Sequence, residues 1–291
     1  MPTFDTPEPI SITMALGVGD VRITASERSD TIVLVSPSDR TDPDDVKAAE
    51  QTRIDYTPGQ LLIKAPRTGK CHGPRGAGES IEVAIELPAG SHVQGQGAMA
   101  DLHCAGRLGE FRFTTASGQI EIDHTGPLRL STGHGSITVN HAGGHAVVTG
   151  SGAVRIREID GSAVIKNLNG DTWVGEVTGD LRCHAANGDI SVDRALGTVG
   201  AKTASGNVRI GEVECGSVVL GTASGDVEVG IREGTAALLD VRSQFGGVHN
   251  SLTAADGPEP SDQRVRVRAR TNYGDIAIRR SRPASHPRDE G

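Results

Sequence analysis

Seven glycines recur at a nearly fixed interval through the middle of the 291-residue chain, and this interval restricts the fold more than any other feature. Gly118, Gly135, Gly152, Gly170, Gly188, Gly206 and Gly225 are 17, 17, 18, 18, 18 and 19 residues apart, inside phrases such as LSTGHGSITV, AKTASGNVRI and LGTASGDVEV. A period that drifts by one residue marks a structural repeat. Counted from each glycine, position minus seven holds Phe111, Leu128, His145, Ala163, Leu181, Val199 and Val218, and minus five holds Phe113, Leu130, Val147, Ile165, Cys183, Ala201 and Leu220. Position plus two holds Ile120, Ile137, Val154, Thr172, Ile190, Val208 and Val227; plus four holds Ile122, Val139, Ile156, Val174, Val192, Ile210 and Val229. The residues between are mostly polar. Alternation of period two, rich in β-branched side chains, is the pattern of a strand with one buried face. Each repeat therefore carries two short strands, one on either side of a glycine turn.

One such turn buries too few apolar side chains to offset the ordering of its own backbone. Identical turns stacked about 4.8 Å apart supply each other's hydrogen bonds and merge each column into a ladder. The expected fold is all-β, a single parallel β-solenoid of 17–19-residue turns. Thirty-nine glycines and seven aromatic residues suit small, repeated coils better than a bulky globular core.

The flanking sequence divides the chain further. Residues 1–92 read as an N-terminal cap region of β-strands and hairpins with surface loops, 93–252 as solenoid repeats, 253–280 as C-terminal capping strands and 281–291 as a disordered tail. Within the first segment, ALGVGDVRI is a degenerate repeat copy, a short helix follows Pro43, RIDYTPGQLLIKAP is a hairpin, and RTGKCHGPRGAGES is a glycine-rich flexible loop. AADGPEPSD (254–262) reads as another loop. The strand QRVRVRAR, with arginines alternating against Val265 and Val267, is expected to guard the open edge of the array.

The phrases TASGDVEV, KNLNGDTWVGEVTGDL, GPEPSDQRVRVRARTNYGDIAIRRS and AAEQTR…LLIKAP resemble a β-strand-repeat family of unknown function labelled "putative adhesin", in its cytoplasmic actinobacterial form. The resemblance runs over roughly residues 8–280. It implies a β-solenoid and carries over no catalytic residue.

The chemistry-bearing residues yield no catalytic constellation. Asp171, Asp189, Asp226 and Asp275, with Asn207, follow the turn glycine and could line up for calcium. A period of 18 and the absence of a GGxGxD phrase argue instead that they bond backbone amides in the turn. Thr115, Thr132, Thr149, Thr203 and Thr222 share the parity of the apolar columns and should pack inward. The ten histidines are scattered, and neighbours such as His103 and Cys104 point to opposite faces of a strand. Cys71, Cys104, Cys183 and Cys215 lack C-x-x-C spacing and read as free thiols, Cys104 and Cys183 being inward and five turns apart, too far to bridge. No cofactor and no metal are expected, and the absence of clustered carboxylates and aromatic platforms argues against an enzyme.

A net charge of −8 disfavours general nucleic-acid or anionic-membrane affinity, sequence-specific nucleic-acid binding is not expected, and no apolar run is long enough for a membrane span. An N-terminus without a basic start or apolar stretch leads to the expectation of a cytoplasmic protein. The outward positions six and four before the glycines carry Arg112, Arg129, Lys166, Arg182 and Lys202 and no acid, whereas acids predominate after the glycines. The leading expectation is a non-catalytic scaffold whose basic face binds an acidic protein or other macromolecule. The alternatives are a self-assembling cytoskeletal solenoid, joined through its sheet edges, and a carbohydrate-active enzyme on a β-helix.

Overall fold

A computed structural model of the chain describes residues 2–66, 79–252 and 263–281. Of the loop read at 67–80, residues 67–78 lie outside the described residues and Ser80 already belongs to a strand; the loop at 254–262, the tail beyond 281 and Cys71 also lie outside them. The chain divides into two compact units, Met1–Gly170 and Asp171–Gly291. Each is a parallel β-solenoid stack. Among the described residues, no helix is long and apolar enough to cross a membrane.

The first unit begins with β1 (Thr3–Asp5), β2 (Ser11–Ala15), β3 (Val18–Ser26), β4 (Asp30–Pro37), α1 (Pro43–Gln51), β5 (Arg53–Thr57), β6 (Gln60–Lys64), β7 (Ser80–Pro88) and the long β8 (His92–Arg107). Its repeats follow as β9 (Phe111–Ser117), β10 (Ile120–Thr125), β11 (Leu128–His134), β12 (Ile137–Ala142), β13 (Ala146–Gly150), β14 (Val154–Ile159) and β15 (Ala163–Asn169). The first coil is not at the end of the stack. β2 and β3 lie between β8 on one side and β6 and β7 on the other, all parallel. The outer sides of β6 and β7 are closed by the antiparallel strands β5 and β4. Helix α1, with Asp42 as N-cap and Pro43 in its first turn, packs on β4 and β7. Its buried Asp45 accepts hydrogen bonds from the N–H groups of Asp39 (3.0 Å) and Ser80 (2.7 Å). An antiparallel cover of this kind leaves no parallel edge free to recruit another chain.

The repeat register appears in the pairings Phe111↔Leu128↔Ala146↔Ala163 and Ile120↔Ile137↔Val154. One coil departs from the sequence reading. Around Gly152 the inward residues are Ala146, Val148 and Gly150, while His145, Val147 and Thr149 face outward or sit half-buried. Three residues separate Ala142 from Ala146, where only two separate Thr125 from Leu128 in the coil before. The turn from Gly150 to Gly152 is one residue shorter in compensation, so the glycine interval conceals the shift.

The second unit holds β16 (Thr172–Val177), β17 (Leu181–Asn187), β18 (Ile190–Ala195), β19 (Val199–Ser205), β20 (Val208–Val213), β21 (Gly216–Ser224), β22 (Val227–Ile231), β23 (Thr235–Phe245), β24 (Val248–Asn250), β25 (Gln263–Tyr273) and β26 (Ile276–Arg280). Its ladders run Leu181↔Val199↔Val218↔Val267 and Ile190↔Val208↔Val227↔Ile276. The arginine-bearing β25 is not the guard of an open edge. It is paired on both sides, with β21 and with β23, because the chain runs out to β23 and β24 and then returns to fill the place beneath them.

A third inward column, at plus seven, was not apparent from the alternation. Thr125, Ala142 and Ile159 in the first unit, and Val177, Ala195 and Val213 in the second, are all buried. Positions plus five and plus six are both outward, so parity flips where each coil bends and the alternation is broken there. At the glycine corner the backbone explains the period. Gly206 has φ 138°, and a Cβ there would lie 2.2 Å from the carbonyl oxygen of Gly188 one coil away. The buried threonines seal the same corner: Thr132 donates to His134 O (2.9 Å) and Thr222 to Gly206 O (2.9 Å).

Candidate functional site

The outward side of the strands preceding each glycine turn carries the basic residues singled out in the sequence. In the first unit Arg112 and Arg129 are direct register partners on β9 and β11, and Lys166 stands on β15, next to Thr149 of β13. All three are exposed. Arg112 is held by Glu110 through hydrogen bonds of 2.8 and 2.5 Å, whereas Arg129 and Lys166 make no ion pair among the described residues.

In the second unit the same kind of face gathers more charge than the repeat columns indicated. Arg182 shares a row with Gly200, Val219 and Arg268, and Lys202 shares the next with Gly221, Arg270 and Arg242. Arg266 stands one row before, beside Leu238. The arginines assigned to an edge are therefore part of this face, brought there by the return of β25 into the stack. Asp240 is the acid among them, 3.0 Å from Arg268 and 3.5 Å from Arg270. Arg182, Lys202, Arg242 and Arg266 have no ion pair among the described residues.

The acids after the glycines have a structural task. Asp171 Oδ1 accepts from the N–H of Asp189 (3.0 Å), Asp189 Oδ1 from Asn207 (2.7 Å), Asn207 Oδ1 from Asp226 (2.8 Å) and Asp226 Oδ1 from Asp275 (2.8 Å). Asp101, which follows Ala100 rather than a glycine, does the same for Gln119 at 2.7 Å. Each amide thus bonded belongs to the adjoining coil. Glu228, another of the acids that follow the glycines, is engaged by Arg209 at 3.5 Å and by Arg279.

At the plus-six position the parity flip has a chemical consequence. His124, His141 and Glu158 are register partners in the first unit, as are Glu176, Arg194 and Glu212 in the second. In the second unit Arg194 lies 3.4 Å from Glu176 and 3.3 Å from Glu212, so the column carries its own cation. In the first unit the rings of His124 and His141 are 5.6 Å apart, His124 Nδ1 is 3.0 Å from Asp123, and His141 Nε2 is 3.1 Å from Asp160. Asp123 also accepts from Asn140 Nδ2 (3.1 Å), and this bond, with smaller help from His124, holds its carboxyl below the ordinary range. The scatter of histidines along the sequence hid this grouping.

The described cysteines are free thiols. Cys104 and Cys183 point inward, and burial raises both, Cys183 to about 12, which leaves neither available as a nucleophile at neutral pH. Cys215 is half-buried, its Sγ 3.2 Å from Leu196 O. A shallow groove across β3, β8, β10 and β12 is lined outward by Arg22, His103, Glu121 and Thr138, with His103 Nδ1 3.1 Å from Glu121.

Residues 9–279 match the model of the family described as Toastrack DUF4097. Among curated proteins, none matches the sequence. Several solved structures align with the chain over most of its length. A "putative adhesin" from Bacteroides fragilis is 12% identical, with 95% of each chain covered and a TM-score of 0.39. Another from Parabacteroides distasonis is 14% identical, with 95% of each chain covered and a TM-score of 0.35. A "putative lipid binding protein" from the same species is 9% identical, covering 97% of this chain and 96% of that one, with a TM-score of 0.31.

Proposed function

We propose that this chain, which belongs to the Toastrack DUF4097 family, is a non-catalytic binding scaffold whose basic solenoid face holds an acidic macromolecule. The observation that carries this reading is the cluster on the second unit, where Arg182, Lys202, Arg242, Arg266, Arg268 and Arg270 share one outward face with Asp240 as their acidic neighbour. A chain with a net charge of −8 that still gathers cations on one face concentrates its positive potential there. Within the rows Arg270 and Arg242 are one strand spacing (about 4.8 Å) apart, Lys202 and Arg270 two and Arg182 and Arg268 three, an extended array suited to an extended polyanionic chain. Arg112, Arg129 and Lys166 form a separate, smaller basic patch on the first unit.

Fluorescent poly-L-glutamate serves as the probe. Binding at low salt, weakening as ionic strength rises, is expected for the wild type. Replacing Arg182, Lys202, Arg266 and Arg270 together by Glu should abolish it while leaving the circular dichroism unchanged, and replacing Arg129 and Lys166 should reduce it. Equal binding by the quadruple variant and the wild type would show the face to be only a solvated surface.

A second reading, self-association, is favoured by β23. Among the described residues this strand has a partner on one side alone, and its Leu238 and Phe245, with Tyr273 of β25, stand 60 to 61% exposed. An uncovered, partly apolar edge of eleven residues is a template for another chain. Light scattering across a concentration series tests it, with Leu238→Lys expected to shift the protein toward monomer. A wild type that stays monomeric throughout rules this reading out.

A further inference from the structure

We propose that His141, Glu158 and Asp160 form a binding site for a divalent transition-metal ion of the zinc type on the first unit. One ligand atom from each of the three side chains lies within 4.8 Å of the others. His141 Nε2 lies 3.1 Å from Asp160 Oδ2, near the roughly 3.3 Å edge of a tetrahedron with metal–ligand bonds of about 2.0–2.1 Å. A small rotation of Glu158, exposed on β14, brings its carboxylate to the third vertex.

Solenoid geometry supplies the convergence that the sequence does not reveal. His141 and Glu158 are register partners on neighbouring coils, so their side chains leave the surface side by side. Asp160 follows Ile159, the inward plus-seven residue, and its N–H is fixed to Ala142 O at 2.9 Å. The corner carrying Asp160 is therefore tied to the coil that carries His141. His124, its ring 5.6 Å from that of His141 and its Nδ1 held by Asp123, walls one side.

The corresponding column of the second unit shows what the first lacks. There two glutamates flank Arg194, whose guanidinium balances them. Beside Glu158 and Asp160 stands a histidine instead, and Glu158 makes no ion pair among the described residues. An imidazole with two carboxylates is a donor set suited to zinc and its neighbours in the first transition row rather than to calcium, which prefers six to eight oxygens. Three protein ligands leave the fourth position to water.

The test uses the full chain, stripped with a chelator and titrated with zinc chloride by calorimetry, and with cobalt(II) followed by its visible absorption. One equivalent of zinc should bind. His141→Ala, and separately Glu158→Gln combined with Asp160→Asn, should weaken binding by more than about tenfold, since even an outer-shell partner is worth that much. His145→Ala, exposed and outside the cluster, should leave it unchanged. All of these substitutions are on outward positions, so circular dichroism should not move; Asp160→Asn alone serves if the double variant unfolds. No zinc binding by the wild type, unchanged affinity in His141→Ala, or a cobalt spectrum dominated by thiolate charge transfer would each overturn the proposal.

Discussion

Asp189 accepts a hydrogen bond from the backbone N–H of Asn207, 2.7 Å away on the adjoining coil, and Asn207 does the same for Asp226 at 2.8 Å. The side chains after Gly188 and Gly206 thus satisfy an amide of the next coil, by a bond that Asp and Asn make equally well. A hydrogen bond of this kind, to an ionised acceptor on an exposed corner, contributes about 1 kcal/mol. Asp189→Ala should lower stability by about that amount in urea denaturation, and Asp189→Asn should restore most of it. If alanine and asparagine at this position melt alike, the ladder contributes nothing measurable.

The turn glycines are fixed by their neighbours more than by their own conformation. Gly234 has φ 79° and open space within 4 Å of where a methyl group would stand, whereas at Gly206 that methyl would strike the Gly188 carbonyl oxygen at 2.2 Å. Gly234→Ala should cost about 1–2 kcal/mol, the ordinary left-handed penalty. Gly206→Ala adds a backbone clash and should cost more, to the point of loss of folding. Equal midpoints for the two variants in chemical denaturation would contradict the close stacking of the glycine corners.

The shifted coil around Gly152 separates what the sequence can convey from what it cannot. Val148 is fully buried and Val147 is not, although glycine counting places Val147 inward. Val148→Asp should unfold the protein or send it to aggregates, because an unpaired carboxylate would sit in the ladder. Val147→Asp should remain soluble and melt within a few degrees of the wild type, and the reverse ranking would restore the unshifted register.

The same coil shows why the fold was more legible than the site. Alternation of apolar side chains is a one-dimensional signal, and columns such as Ile137, Val154 and Ile190 carry it through many repeats. Corners break that signal. The extra residue near Gly143, the paired outward positions at Asp123 and His124, and the return of β25 between β21 and β23 all depend on which coil meets which. The basic residues of the repeats could be found by counting, but Arg266 and Arg270 join them only because the last coil is threaded out of chain order. His141, Glu158 and Asp160 meet through a bend that alternation cannot register.

The inward thiols give a prediction about alkaline pH, and its sign follows from burial. Desolvation disfavours the thiolate, so Cys183 is raised from 9.0 to about 12, against a weaker opposing bond from Thr172, and Cys104 is raised by desolvation as well. Below pH 9.0 both the folded and the unfolded chain hold these protons, and the stability tied to the neutral thiols is fully present. As pH climbs from 9.0 toward 12 the unfolded chain ionises while folded Cys183 does not, so that stability is progressively lost. Cys104→Ala combined with Cys183→Ala should therefore flatten the alkaline limb of a stability-versus-pH curve, though both changes lower stability at neutral pH by emptying core volume. At pH 8 a thiol-specific reagent should leave Cys104 and Cys183 unmodified in the folded protein and modify both after denaturation, as peptide mapping would read out. Rapid modification of either in the native state, or an alkaline limb unchanged in the double variant, would place these side chains outside the dry interior of the coils.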